Sequence, residues 1–133
     1  MKFFVISDVH GFYDEMIEAL NEAGFDKDNE NHWLVSCGDE WDRGSNPIGV
    51  MKFFCSLERK TIIRGNHTTL FEDLVYRCYP EYHDYSNGTL DTVKIIGNYS
   101  LDKQFDLCCE SAQLLQLTTQ FVSILLIVVA VLA

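Results

Sequence analysis

Short apolar runs alternate with amphipathic stretches from the first residues to Arg77. Phe3 to Ser7 reads as a short buried strand. From Tyr13 to Ala23, apolar Met16, Ala19, Leu20 and Ala23 recur at helical spacing, and Asp14, Glu15 and Glu18 sit early, where they favour the helix dipole. Gly24 supplies the stop. Trp33 to Cys37 reads as a second strand. Pro47 suits the first turn of a second helix, which carries Ile48, Met51, Phe54 and Cys55 to about Leu57, with Ser45 or Asn46 as its cap. Thr61 to Ile63 is a third strand. A third helix is expected from Thr69 to Arg77, where Thr69-x-x-Glu72 has the spacing of a capping box. This alternation implies right-handed parallel crossovers and an α/β sheet. Beyond residue 78 the pattern weakens: Asn87-Gly88 reads as a hairpin turn and Ile95-Ile96 as a short strand.

The chain has 133 residues, enough for one domain or part of a larger one. A formal net charge of -10 argues against a nucleic-acid binder, which needs cations to displace counterions from phosphates. A hydrophobic fraction of 47% excludes a disordered chain. Five cysteines (Cys37, Cys55, Cys78, Cys108 and Cys109) without a C-x-x-C pair fit a reducing, cytoplasmic setting better than a disulfide framework. The apolar start is too short for a signal peptide. No charge follows Glu110, and from Phe121 to Ala133 every residue but Ser123 is apolar. This run is shorter than the roughly 20 residues that span a bilayer, and extending it back to Leu114 takes in Gln116, Thr118, Thr119 and Gln120. A membrane anchor over 114–133 and a buried core element are both weaker readings than an aberrant end on a shortened chain. The expected division is therefore a domain over 1–110 and an uncharged hydrophobic tail over 111–133.

Three polar clusters follow the three strands: Asp8-Val9-His10-Gly11, Gly38-Asp39-Glu40-Trp41-Asp42-Arg43-Gly44 and Arg64-Gly65-Asn66-His67. Ligands of an open parallel sheet bind beyond the carboxyl ends of its strands, so all three are expected at one edge. Asp8, His10, Asp39 and Asn66 offer carboxylate, imidazole and amide oxygen, a donor set suited to Mn, Fe, Co, Ni or Zn. Asp8 and His10, two apart, point the same way from an extended chain. Asp39 can bridge two ions and Asn66 can bind the second. Two ions about 3.5–4 Å apart clamp a phosphoryl group and acidify a water, whose hydroxide attacks phosphorus in line. Arg43 can hold the non-bridging phosphate oxygens bidentately. His67 can protonate the leaving oxygen, with Asp42 orienting it. Taken singly, Asp8 and His10 are a capping acid and a surface histidine, and Asp42-Arg43 is a surface ion pair; their common position after three strands favours the chemical reading. Glu40 and Trp41 read as loop filler, Cys37 as buried packing, and Phe3, Phe4, Phe53 and Phe54 as core.

Asp-x-His, Gly-Asp-x-x-Asp-Arg-Gly and Gly-Asn-His, in this order and about 30 residues apart, resemble the calcineurin-like metallophosphoesterases over residues 3 to about 77. The version with Asp42-Arg43 is similar to the phosphoprotein phosphatase branch, which includes bacterial and phage serine/threonine phosphatases and symmetrical diadenosine tetraphosphatases. The resemblance implies the N-terminal half of a β-sandwich flanked by helices and a centre of two divalent ions, manganese first among the candidates. It implies Asp8 and His10 on one ion, Asp39 bridging, Asn66 on the second ion and on phosphate, Arg43 on phosphate, and His67 with Asp42 as the catalytic pair. The implied substrate is a phosphorylated protein or a small phosphoester, with hydrolysis of phosphoserine or phosphothreonine ahead of dinucleoside polyphosphates and ahead of a remnant with a partial metal site. Two departures stand out. Thr68 occupies the position of the family's usual glutamate, and only His83 follows His67, without the family's downstream histidine motif.

Overall fold

The computed structural model describes residues 1–97. Strands β1 (Lys2–Ile6), β2 (His32–Ser36) and β3 (Lys60–Ile62) form one parallel sheet in the order β1-β2-β3. Helices α1 (Tyr13–Glu22) and α2 (Pro47–Ser56) make the two crossovers and touch each other, and α3 (Asn66–Arg77) leaves β3. Phe4 pairs with Leu34 and Ser36 with Ile62, and these four side chains are buried. Met16 and Leu20 of α1, and Ile48, Val50, Met51 and Phe54 of α2, close the core over them. Each large side chain buried this way contributes about 1.5–3 kcal/mol. Asn46 caps α2 by accepting from the Gly49 amide at 2.8 Å, and Pro47 occupies the first turn. The expected α/β architecture is therefore present, with the three strands and helices in the expected order.

Several expectations need correction. β1 is buried on one face only: Phe3 and Val5 are 59% and 64% exposed, because successive strand residues alternate faces and both crossover helices cover the other one. Cys37, just past β2, is exposed rather than buried. α3 begins at Asn66, not Thr69, and no side chain caps it; Glu72 pairs instead with Arg64. The early start places His67 in the first turn, where its amide lacks an intrahelical acceptor. Asn87-Gly88 is not a hairpin. Gly88, at φ +82°, ends α4 (Tyr82–Asn87) in the left-handed conformation that glycine tolerates, and α5 (Thr89–Gly97) starts directly after it. Ile95 and Ile96 belong to α5 and pack partly against the core.

Cys37, Cys55 and Cys78 form no disulfide. No helix among the described residues is long and apolar enough to cross a membrane. The tail over 111–133, its possible anchor, and Cys108-Cys109 lie outside the described residues.

Candidate active site

Backbone hydrogen bonds zip the first two strand-end loops together. The amide of Asp8 donates to Gly38 O, that of His10 to Asp39 O, that of Gly11 to Glu40 O, and that of Gly44 to His10 O, at 2.7–3.2 Å. The third loop joins through a close backbone contact. A Cβ on Gly65 would lie 2.1 Å from Asp39 Oδ1, so only glycine fits there. The His67 amide then donates to Asp39 Oδ1 at 3.0 Å. All three clusters thus meet at one edge of the sheet.

Asp8, His10 and Asp39 each offer a ligand atom, and these atoms lie within 4.8 Å of one another. His10 Nδ1 lies 2.9 Å from the Trp41 carbonyl oxygen, to which it donates as the Nδ1–H tautomer. Nε2 is then left with a bare lone pair that can bind a cation, 3.8 Å from Asp8 Oδ1. A backbone carbonyl that fixes the far nitrogen is how proteins orient a metal-binding histidine. The cluster therefore suits one divalent ion, as an oxygen-rich set with one imidazole. Asn66 is exposed at the start of α3, beside the amide that reaches Asp39.

The second group is built around Asp42, which is fully buried. Asp42 Oδ2 accepts from His67 Nδ1 at 2.8 Å, so the carboxylate selects the tautomer with bare Nε2. Arg43 Nη2 lies 3.4 Å from that Nε2. The His67 and His10 rings meet edge to face, 4.6 Å between centroids, which ties the two groups into one site. Arg64 is held by Glu72, leaving Arg43 as the cation next to His67.

Asp8, His10, Asp39, Asp42 and Arg43 all have positive φ, from +48° to +74°, and among the described residues Cys78 alone of the other non-glycines shares this. Each such residue costs about 1 kcal/mol or more, which the surrounding structure must offset. Such strain clusters at functional sites. It also corrects one argument: Asp8 and His10 converge through a left-handed turn, not through an extended chain.

The family model for calcineurin-like phosphoesterases matches residues 1–121. The chain belongs to the calcineurin-like phosphoesterases. Among curated proteins, this chain is 40% identical over 76 residues to the asymmetrical bis(5'-nucleosyl)-tetraphosphatase PrpE of Bacillus velezensis, a match covering 50% of the chain and 30% of the relative. It is 35% identical over 68 residues to the symmetrical bis(5'-nucleosyl)-tetraphosphatase of Glaesserella parasuis, covering 50% of the chain and 24% of the relative. The chain thus spans less than a third of the length of these relatives. A crystal structure titled as a putative diadenosine tetraphosphatase shares the fold, with a TM-score of 0.55 at 19% identity over 77% of this chain and 40% of that one.

The chain also builds these loops with residues that the sequence reading left outside the site. Glu40 is buried, and Ser36 Oγ donates to its Oε1 at 2.5 Å, so it is a built part of the loop rather than filler. Burial pushes its carboxyl above the usual range, against the lowering effect of the Ser36 bond. Trp41 packs partly against the core and stacks on Phe71 of α3 at 6.2 Å, besides supplying the carbonyl for His10. Thr89 and Thr92 of α5, both buried, donate to Asp42 at 2.7 and 2.8 Å. They lie 47 and 50 residues downstream, beyond every motif, and no local signal marks them.

Proposed function

We propose that this chain is a metal-dependent phosphoesterase whose substrate is a dinucleoside polyphosphate such as diadenosine tetraphosphate. One observation carries the chemistry: the Asp8, His10 and Asp39 cluster lies beside the His67–Asp42 pair and Arg43. The substrate class rests on the tetraphosphatase names of the relatives, which move the proposal from phosphoserine and phosphothreonine, the first expectation from the sequence, to a phosphoric anhydride.

In this reading Asp8, His10 and Asp39 hold the first divalent ion, manganese in the first instance, and Asp39 and Asn66 hold the second. When bound, the ions supply Lewis-acid polarisation of the phosphoryl group and acidify water at the site. Arg43 grips the non-bridging oxygens, and Asn66 adds an amide donor to them. His67, protonated on Nε2, gives that proton to the leaving oxygen as the phosphorus–oxygen bond breaks. It returns to the Nδ1–H form, and Asp42 neutralises the imidazolium charge in the loaded state.

The test measures release of nucleotide from diadenosine tetraphosphate with added Mn2+, beside p-nitrophenyl phosphate and a phosphoserine peptide. Nucleotide release abolished in Asp39→Asn and His67→Asn supports the reading. Turnover of the phosphopeptide alone would replace the substrate, and no metal-dependent rate on any of the three would overturn the hydrolase.

A further inference from the structure

Among the described residues, His67 provides one of three hydrogen bonds to the buried Asp42 carboxylate. The others come from α5, where Thr89 Oγ1 donates to Oδ2 and Thr92 Oγ1 to Oδ1. We propose that Thr89 and Thr92 are positioning residues that lock the plane of the Asp42 carboxylate and so hold His67 in its Nδ1–H tautomer, with Nε2 facing the substrate. The inference rests on the reading of His67 as proton donor.

A carboxylate turns easily about its terminal torsion, whose energy wells are broad and roughly two-fold. The His67 bond alone, on one oxygen, leaves that rotation open. A hydroxyl on each oxygen closes it. Nothing in α5 itself requires the hydroxyls. Both threonines are buried, where valine would fill the same volume without a polar group to satisfy. Thr92 has an alternative acceptor in Gly88 O at 3.4 Å, but its single proton goes to the nearer Asp42 Oδ1 at 2.8 Å. The two residues are three apart on one helix, so both hydroxyls leave the same face.

The rest of the joint holds this arrangement. A Cβ on Gly88 would come 2.7 Å from the Arg43 amide nitrogen, so the start of α5 abuts the loop that carries Asp42 and Arg43. That loop is strained, with Asp42 at φ +74° and Arg43 at +62°. Without the clamp, Asp42 can turn away from Nδ1, and the neutral ring then populates the Nε2–H tautomer. In that form the Nε2 proton sits on a neutral ring, a far weaker acid than imidazolium, and Nδ1 loses the carboxylate that stabilises the charged form.

The experiment uses the full chain labelled with 15N-histidine at about pH 8, where neutral imidazole dominates for an ordinary histidine. Long-range proton–nitrogen spectra read the tautomer of each ring, and His67→Asn assigns the His67 signals. Wild type shows a protonated Nδ1 and a bare Nε2. The double variant Thr89→Val/Thr92→Val shows the two nitrogens averaged toward a tautomer mixture, and Thr89→Ser/Thr92→Ser restores the wild-type pattern. With Mn2+ and p-nitrophenyl phosphate, kcat of the valine pair falls about tenfold at unchanged KM, in the range expected for residues that orient a site group. Single Thr92→Val reads the same signals should the pair fail to fold. Unchanged His67 signals in a folded valine variant, or no rescue by serine, overturn the proposal. A tautomer shift in a chain with no turnover upholds the clamp and refutes the hydrolase instead.

Discussion

Replacing Asp42 tests the site and the fold together. Asp42→Ala removes the acceptor of three buried donors, from His67, Thr89 and Thr92. Each donor left unsatisfied costs about 1–3 kcal/mol. Part is recovered, because a buried anion no longer has to be desolvated. The net loss is about 3–5 kcal/mol, the usual result of removing one partner from a buried charged pair. Asp42→Asn is milder. Its amide oxygen can replace Oδ2 and still accept from His67 and Thr89. Its NH2 group then faces Thr92, whose hydroxyl can turn to donate to Gly88 O, 3.4 Å away. All three charge-assisted bonds become neutral ones, partly offset because no buried anion has to be desolvated, a net loss of about 1–2 kcal/mol. Urea unfolding of the full chain in EDTA, followed by circular dichroism, should therefore rank wild type above Asp42→Asn and Asp42→Ala last. Thermal midpoints should follow, with a drop of about 15 °C or more for the alanine variant. An alanine variant within 1 kcal/mol of wild type, or an asparagine variant below it, would refute the three-donor account.

Burial raises the Glu40 carboxyl, so its contribution to stability is complete at low pH and is lost as pH rises through its folded-state value. Glu40→Gln should therefore gain stability over wild type near pH 7 and show no gain near pH 4, both in EDTA; a constant difference in urea melts across that range would contradict the assignment. Gly65→Ala would drive a methyl group into the Asp39 carboxylate and backbone, and should cost about 1–3 kcal/mol in unfolding free energy and weaken divalent-ion binding in calorimetry. Wild-type behaviour in both would show that the two loops are not in contact. Arg43→Lys keeps the charge but loses the planar fork, so KM for p-nitrophenyl phosphate should rise about tenfold or more. An unchanged KM would remove Arg43 from the phosphate site.

Much of the fold was legible because its signals are local. Three apolar runs, each ending in a polar cluster, placed β1, β2 and β3 within a residue or so, and the strand-end rule then put Asp8, Asp39 and His67 at one edge. What failed was non-local or ambiguous. Phe3 and Phe4 are equally apolar, and only the placement of α1 and α2 on one face buries Phe4 and exposes Phe3. Asn87-Gly88 suits a hairpin turn and a helix end alike, and the two-residue run Ile95-Ile96 has no period to separate strand from helix. The left-handed backbone at Asp8 and His10 cannot be read from side-chain types, although Asp tolerates it better than most residues. Thr89 and Thr92 became visible only when α5 was placed against Asp42.

The central claim is that Asp8, His10 and Asp39 form a cation site. Manganese titration of the full chain, followed by paramagnetic resonance of the free ion, tests it most directly. The account predicts saturable binding that His10→Ala and Asp39→Asn each weaken at least tenfold, with His83→Ala, at a half-buried histidine on α4 that faces Glu81 and Asp84, binding as wild type does. Equal affinity in all four proteins, or none in wild type, would contradict it.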